Sequence, residues 1–273
     1  VFFTLLSLFS FWALPLTRDL LMLPAFFAFI ILFPGFISWR LLGRRFRSPI
    51  DRGTHLISAL LSNIGTLGGI CAYIIYGERG FAYAQIGGAC QNLALVILAF
   101  PIAQYYYLLN KTHGRAARLE GRSFLGLLIS WNQLSILGMA AGLLLNAGGV
   151  TRPPVLSEAF GYIIHVSAWF AMLPVGSLIN LRRARHFVYL TVDMIALRFL
   201  IVPLFTFFAA RIFISDPVVQ NALVIFAGVP VAINATLTAR LYRLNVDYTI
   251  AVFLVTTVLY LTILFPVIFF LFR

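Results

Sequence analysis

Phe226-Ala227-Gly228-Val229-Pro230-Val231-Ala232-Ile233-Asn234 lies inside an apolar run long enough to span a bilayer. Pro230 removes a backbone donor and crowds the preceding turn, and Gly228 loosens the chain beside it. A spanning helix interrupted here frees N–H and C=O groups, which hydrocarbon tolerates only where protein or a water-filled cavity surrounds them. Together with the Asn234 carboxamide, the freed groups make a polar spot at mid-membrane depth. Ser62-Asn63-Ile64-Gly65-Thr66-Leu67-Gly68-Gly69 interrupts an earlier apolar run in the same manner. Two interrupted spans in corresponding halves of a chain point to a transporter binding site.

Composition agrees with that reading. The 273 residues are 62% hydrophobic and 10% charged, and the mean hydropathy is +0.98. Globular chains carry about 25% charged residues. The sequence therefore reads as an all-α polytopic membrane protein, an integral, multi-pass chain embedded in a lipid bilayer. Spans need about 20 helical residues, and nine apolar segments are expected at about 1–16, 20–43, 55–76, 80–109, 122–147, 155–180, 186–214, 218–243 and 248–272. Cys71 and Cys90 fall in apolar spans and read as packing residues. No basic stretch precedes the first apolar run, so no signal peptide is expected. Because the sequence opens on Val1 and not on Met, a preceding helix is expected to be missing.

The net charge of +12 does not imply a nucleic-acid partner, because the basic residues sit in short loops between apolar segments. On one side these are Arg40, Arg44, Arg45, Arg47 and Arg52, then Lys111, Arg115, Arg118 and Arg122, then Arg182, Arg183 and Arg185, then Arg240 and Arg243. The other side holds Arg18, Arg79, Arg152, Arg211 and Arg273. The positive-inside rule places the richer side in the cytoplasm, which leaves the C-terminus external. Localisation in a bacterial inner membrane is expected.

The chain also repeats. Trp12-Ala13-Leu14-Pro15 recurs as Ala171-Met172-Leu173-Pro174, Gly69 falls opposite Pro230, and Ala99-Phe100-Pro101-Ile102 recurs as Leu264-Phe265-Pro266-Val267, at offsets of 159, 161 and 165 residues. Residues 1–109 then form a first repeat lacking its first helix, 110–121 a short cytoplasmic loop, and 122–273 a second repeat. Five helices per repeat is odd, so the halves are expected to lie inverted in the membrane, with the substrate site at their interface near the midplane.

These residues resemble the auxin efflux carrier family, part of the bile-acid/arsenite transporter-like superfamily. Asn63, Gly65 and Gly68 match its Asn-x-Gly-x-x-Gly-Pro pattern, with Gly69 where Pro is usual. Gly228, Pro230, Ala232 and Asn234 are similar to its small-x-Pro-x-Ala-x-Asn pattern, and Ala13–Pro15 to its second helix. The short central loop makes the chain look like a prokaryotic or compact member. The resemblance implies inverted five-helix repeats, nine of ten helices being present, and two crossing discontinuous helices. It also implies a scaffold domain of 1–16 with 122–180 and a transport domain of 20–109 with 186–272. By the same resemblance the protein is a permease for organic acids such as malate or malonate, working by alternating access, with a homodimer formed through the scaffold.

A carboxylate needs donors. Half-helix N-termini carry free N–H groups and roughly +0.5 of charge, and such half-helices are expected to begin after Gly69 and Pro230. Asn63 and Asn234 add side-chain donors, whether they also satisfy the broken backbone or not. Asn63, Gly65, Gly69, Pro230, Asn234 and Arg198 are thus the candidate substrate-binding residues. Asp193 and Arg198 are the acid and the base well inside a span, where charge is costly. They lie five residues apart, about 140° around a helix, so each is expected to find its own partner on another helix. Asp193 and Gln91 are the candidates for ion coupling, to H⁺ or Na⁺. His165 reads as a packed residue, Trp131, Asn132 and Gln133 as helix-bridging groups, and Tyr105, Tyr106 and Tyr107 as an interfacial belt. No cofactor or metal is expected, because four scattered histidines and two cysteines form no ligand cluster. The absence of paired carboxylates, His-x-x-x-His and Gly-x-Ser-x-Gly argues against an enzyme. A Na⁺-coupled bile-acid-type symporter and an anion channel of the same fold remain the alternative readings.

Overall fold

The computed structural model describes residues 2–112, 134–178 and 185–272, with side chains except at 168–178. Arg115, Arg118, Arg122, Trp131, Asn132, Gln133, Arg182, Arg183 and Arg273 lie outside the described residues, as do the side chains of the second Leu-Pro repeat at 171–174. The elements are helical throughout the described residues, apart from one isolated bridge. They are α1 (Phe2–Trp12), α2 (Leu23–Arg40), α3 (Pro49–Leu60), α4 (Gly69–Ala94), α5 (Phe100–Lys111), α6 (Leu134–Ala147), α7 (Val155–Leu178), α8 (Val192–Ala196), α9 (Val202–Phe213), α10 (Pro217–Ala227), α11 (Ile233–Leu241), α12 (Val246–Leu259) and α13 (Phe265–Phe272).

Among the described residues, four helical segments are long and apolar enough to cross a membrane: Arg18–Arg45, Ile64–Lys111, Arg185–Phe213 and Val246–Phe272. Shorter apolar helices stand beside them at Phe2–Trp12, Leu134–Ala147, Val155–Ser167 and Pro217–Ala227. Large apolar side chains face outward, among them Leu21, Ile212 and Phe270, each at least three-quarters exposed. Continuous apolar surface of this kind is rare on soluble monomers. The longest segment is not one rod. It doubles back at Gly77, whose φ of 60° and ψ of −149° suit glycine. Gly65 then comes to face Gly88, and Gly69 faces Phe81 and Ala84.

Proline shapes the long helices in a repeated way. Leu95–Ala99, Leu197–Ile201 and Tyr260–Leu264 are π turns, closed by bonds from Phe100 N to Leu95 O, Val202 N to Leu197 O and Phe265 N to Tyr260 O. Each ends two residues before a proline: Pro101, Pro203 or Pro266. A proline lacks the donor for the i→i−4 bond, and a local widening to i→i−5 accommodates the loss. The first and third π turns stand 165 residues apart, each followed by Phe-Pro.

α1 packs against α6 and α7. The α1–α6 contact is close because α6 presents glycine twice on one face. A Cβ on Gly138 would collide with the Thr4 carbonyl, and one on Gly142 with the Leu8 carbonyl. Small residues four apart are the usual device for close helix approach in lipid. Gly138→Val is expected to cost about 1–3 kcal/mol and to lower the unfolding midpoint in detergent by several degrees. An unchanged midpoint would show that the α1–α6 contact is looser than described. Tyr106 departs from the expected interfacial belt: it is buried, with its ring base against Gly53, whereas Tyr105 is exposed. Both cysteines are free thiols, Cys71 buried and Cys90 partly so.

Candidate functional site

Two helices are interrupted, and the interruptions touch. α3 ends at Leu60, and helix resumes at Ile64 as a π turn leading into α4. α10 ends at Ala227, and helix resumes at Ile233 as α11. Between them Ser62 and Val231 form an antiparallel bridge, flanked by Asn63 N donating to Pro230 O at 2.9 Å and Ala232 N donating to Leu61 O at 3.0 Å. Each broken helix thus satisfies part of the other's free backbone, as buried peptide groups require.

Side chains close what the bridge leaves open. Gln91 Oε1 accepts from Ser62 N at 3.3 Å and from Ser62 Oγ at 3.2 Å, and its Nε2 donates to Leu60 O at 3.3 Å. Val231 N donates to Thr256 Oγ1 at 3.3 Å. Gln91 and Thr256 stand 165 residues apart, the same offset as the two π turns before Phe-Pro. Gln91 was an ion-coupling candidate; its carboxamide is committed to holding the first interruption. Arg198 was a substrate-binding candidate. It is fully buried, donates from Nη2 to Ala59 O at the C-terminal end of α3, and does not line the cavity described below. A cation at that end complements the helix dipole.

The first half-helix starts earlier than its glycines suggest. Gly68 and Gly69 have ordinary helical φ values of −59° and −62°. The break lies at Leu61–Asn63, and Asn63 is the residue that caps the resumed helix. Its Oδ1 accepts from Thr66 Oγ1 at 2.8 Å and from Leu67 N at 3.5 Å. The second half-helix likewise begins at Ile233, not directly after Pro230. Gly69 packs on Phe81, and Pro230 contributes a carbonyl to the bridge, so neither lines the cavity.

Both helix starts open into one cavity of about 150 Å³. The crossing lines it with Ser62, Asn63, Ile64, Gly65, Thr66, Ala232, Ile233 and Asn234. Gln85, Gly88, Ala89, Gln91 and Asn92 of α4 form a second wall, and Phe3 of α1 with Ser135, Ile136 and Met139 of α6 a third. First-turn N–H groups have no carbonyl within their own helix to bind, which leaves those of Gly65, Thr66, Ile233 and Asn234 for a ligand. Among the described residues, the Nδ2 donors of Asn63 and the whole carboxamide of Asn234 make no hydrogen bond to protein. Among the described residues the lining carries no charged side chain, so the positive potential it offers comes from the two helix N-termini. Gln85 was missed in the sequence, although Gln85, Ala89 and Asn92 follow helical spacing. Its Nε2 donates to Gly65 O at 2.9 Å and holds that turn.

A second polar cluster lies outside the cavity. Asp193 Oδ2 accepts from His55 Nε2 at 2.9 Å and from Arg45 Nη2 at 2.8 Å. His55 Nδ1 lies 2.6 Å from Ser38 Oγ. Asp193 and Arg198 each find their own partner on another helix, as expected, and both partners stand on α3, at His55 and Ala59. The π turn at Leu197–Ile201 changes the angular spacing between them, and four residues on α3 return to the same face. The order Ser38–His55–Asp193 resembles a hydrolytic triad, yet Ser38 and His55 are fully buried and line none of the described cavities. His165 bonds the Gly161 carbonyl one turn back on its own helix.

No protein-family model and no curated protein matches the chain.

Proposed function

We propose that the protein is a secondary active transporter that moves a small organic anion, a mono- or dicarboxylate, by alternating access, and that it belongs with the auxin efflux carrier type of crossed-helix permease. The observation that carries this reading is the convergence of two half-helix N-termini, the Nδ2 donors of Asn63 and the Asn234 carboxamide on one cavity whose described lining is uncharged. Such a site attracts a carboxylate without fixing a counter-charge that would hold it too tightly to release. The size favours a small acid. About 150 Å³ is roughly five times the ~30 Å³ that one water occupies in the liquid, which suits malonate or malate better than a bile acid.

The inverted repeat is supported by the 165-residue offset shared by the π turns, the Phe-Pro steps and the two residues that prop the interruptions. The division into scaffold and transport domains is supported by the cavity's position between α1 and α6 on one side and the crossing on the other. Rocking one body against the other would expose that cavity to each face in turn. On this reading the chain is a multi-pass protein of a bacterial inner membrane, with its C-terminus outside, dimerising through the scaffold. It is a carrier and not an enzyme. Asn63, Gly65 and Asn234 hold the anion, and Asp193 serves ion coupling.

The test is a thermal-stability screen of the purified protein against mono- and dicarboxylic acids, with and without Na⁺, at two pH values. Stabilisation by small carboxylates, saturable with concentration, is expected. Stabilisation by bile acids and Na⁺ alone would favour the symporter alternative, and unitary conductance in planar bilayers would favour a channel.

A further inference from the structure

The cluster around His55 has the construction of a binding site for one proton. Its imidazole is fully buried, and each ring nitrogen has a single partner of a different kind. Nε2 faces the Asp193 carboxylate at 2.9 Å, and Nδ1 faces the Ser38 hydroxyl at 2.6 Å. A carboxylate only accepts; a hydroxyl donates or accepts by rotating its hydrogen. With His55 neutral, Nε2–H donates to Asp193 and Ser38 donates to Nδ1. With His55 protonated, both N–H groups donate and Ser38 turns its hydrogen away. Neither state requires a heavy atom to move.

The surroundings also accept the added charge. Phe46 lies 5.2 Å and Tyr248 6.4 Å from the ring, the latter nearly parallel at 17°, and aromatic faces stabilise a cation. Arg45 is the opposing group. It pairs with the same Asp193 oxygen at 2.8 Å, but it is 41% exposed and also bonds Leu190 O. Several other ionisable groups on α3 and the elements packed around it have partners or positions away from the ring. Asp51 accepts from Asn245 and Arg52 donates to Gly43 O. Tyr106 packs on Gly53, and Arg240 sits in the last turn of α11. Asp193, 9% exposed beside Arg45, gives the proton a way in.

We infer that His55, seated between Asp193 and Ser38, is the proton-binding group of this protein, and that protonating it favours anion binding at the crossing. This rests on the carrier reading for its consequence, though not for the site itself. His55 lies six residues before Leu61, about 9 Å along α3. A positive charge at that distance raises anion affinity roughly ten-fold at an effective dielectric near 20. By linkage, a bound anion raises proton affinity by the same factor. Proton and anion therefore move together.

The test is ¹³C NMR of histidine-labelled protein from pH 5 to 8.5, with the His55 signal assigned by its loss in His55→Gln and, should that variant not fold, by its shift in Ser38→Ala. We expect one titration within that window and a proton affinity at least ten-fold lower in Asp193→Asn. A His55 signal that stays in one state across the window, or an identical midpoint in Asp193→Asn, overturns the proposal. Malonate is then added as the probe. Malonate binding beside a non-titrating His55 overturns the proton site and leaves the carrier standing. Titration that bound malonate leaves unshifted keeps the proton site and overturns its coupling to the anion, whereas failure of malonate, malate and the other acids of the screen to bind at all removes the carrier reading.

Discussion

Replacing Asn63 and Asn234 together by alanine is expected to weaken carboxylate binding a hundred-fold or more in calorimetric titration. Each carboxamide offers Nδ2 donors to the cavity that no hydrogen bond among the described residues engages. A hydrogen bond to a charged group contributes about 1.5–3 kcal/mol, so losing two removes at least about 3 kcal/mol, or two orders of magnitude in Kd. The two positions differ in what else they do. Asn234 makes no side-chain hydrogen bond to protein among the described residues, so Asn234→Ala alone should lose binding with little loss of stability. Asn63 also caps the turn Ile64–Gly68 through Oδ1, and its loss costs roughly 1 kcal/mol of stability besides. Asn63→Asp separates these roles: the carboxylate keeps the cap and repels the anion. Affinity within two-fold of the parent in the double variant would place the anion elsewhere.

The second large effect concerns coupling. Asp193→Asn is expected to abolish accumulation driven by a proton gradient while counterflow exchange of the acid continues. Asp193 touches His55 and Arg45 but does not line the cavity, so the anion site keeps its donors. In a cycle of one proton per monoanion, a gradient of one pH unit supports about ten-fold accumulation, because one unit is worth 1.36 kcal/mol. In the variant the ratio should fall to one. Gradient-driven accumulation equal to that of the parent protein, measured in proteoliposomes, would remove Asp193 from coupling.

How legible these features were depended on how local their causes are. Pro230 lacks an N–H whatever surrounds it, so the interruption at Gly228–Ala232 can be read from the residues alone. The first interruption has no proline. Glycine permits a break without requiring one, and Gly68 and Gly69 stay helical while the chain opens at Leu61–Asn63. What fixes that position is remote: the Pro230 carbonyl and the Gln91 carboxamide, reached across 167 and 29 residues. Gln91 and Arg198 looked available for ligands because their backbone partners, Leu60 and Ala59, emerge only when α3 is placed against α4 and the π turn Leu197–Ile201. His55 went unremarked on an apolar helix for the same reason, since Ser38 and Asp193 come from two other elements. The small-residue pair Gly138 and Gly142 and the polar stripe Gln85–Asn92 were present as plain helical spacings. Their meaning, a close α1–α6 contact and a cavity wall, depends on which neighbour each face meets.

The central claim is that a carboxylate rests against the N-termini of two touching half-helices. Solid-state NMR can measure it directly, using protein labelled with ¹⁵N at asparagine and the tightest-binding acid of the screen labelled with ¹³C at its carboxylate. The account predicts dipolar contact to Asn63 and Asn234 nitrogens at about 4 Å, as N–H···O hydrogen bonding requires, and its loss in the double alanine variant. Saturating occupancy of the acid with no such contact would contradict it.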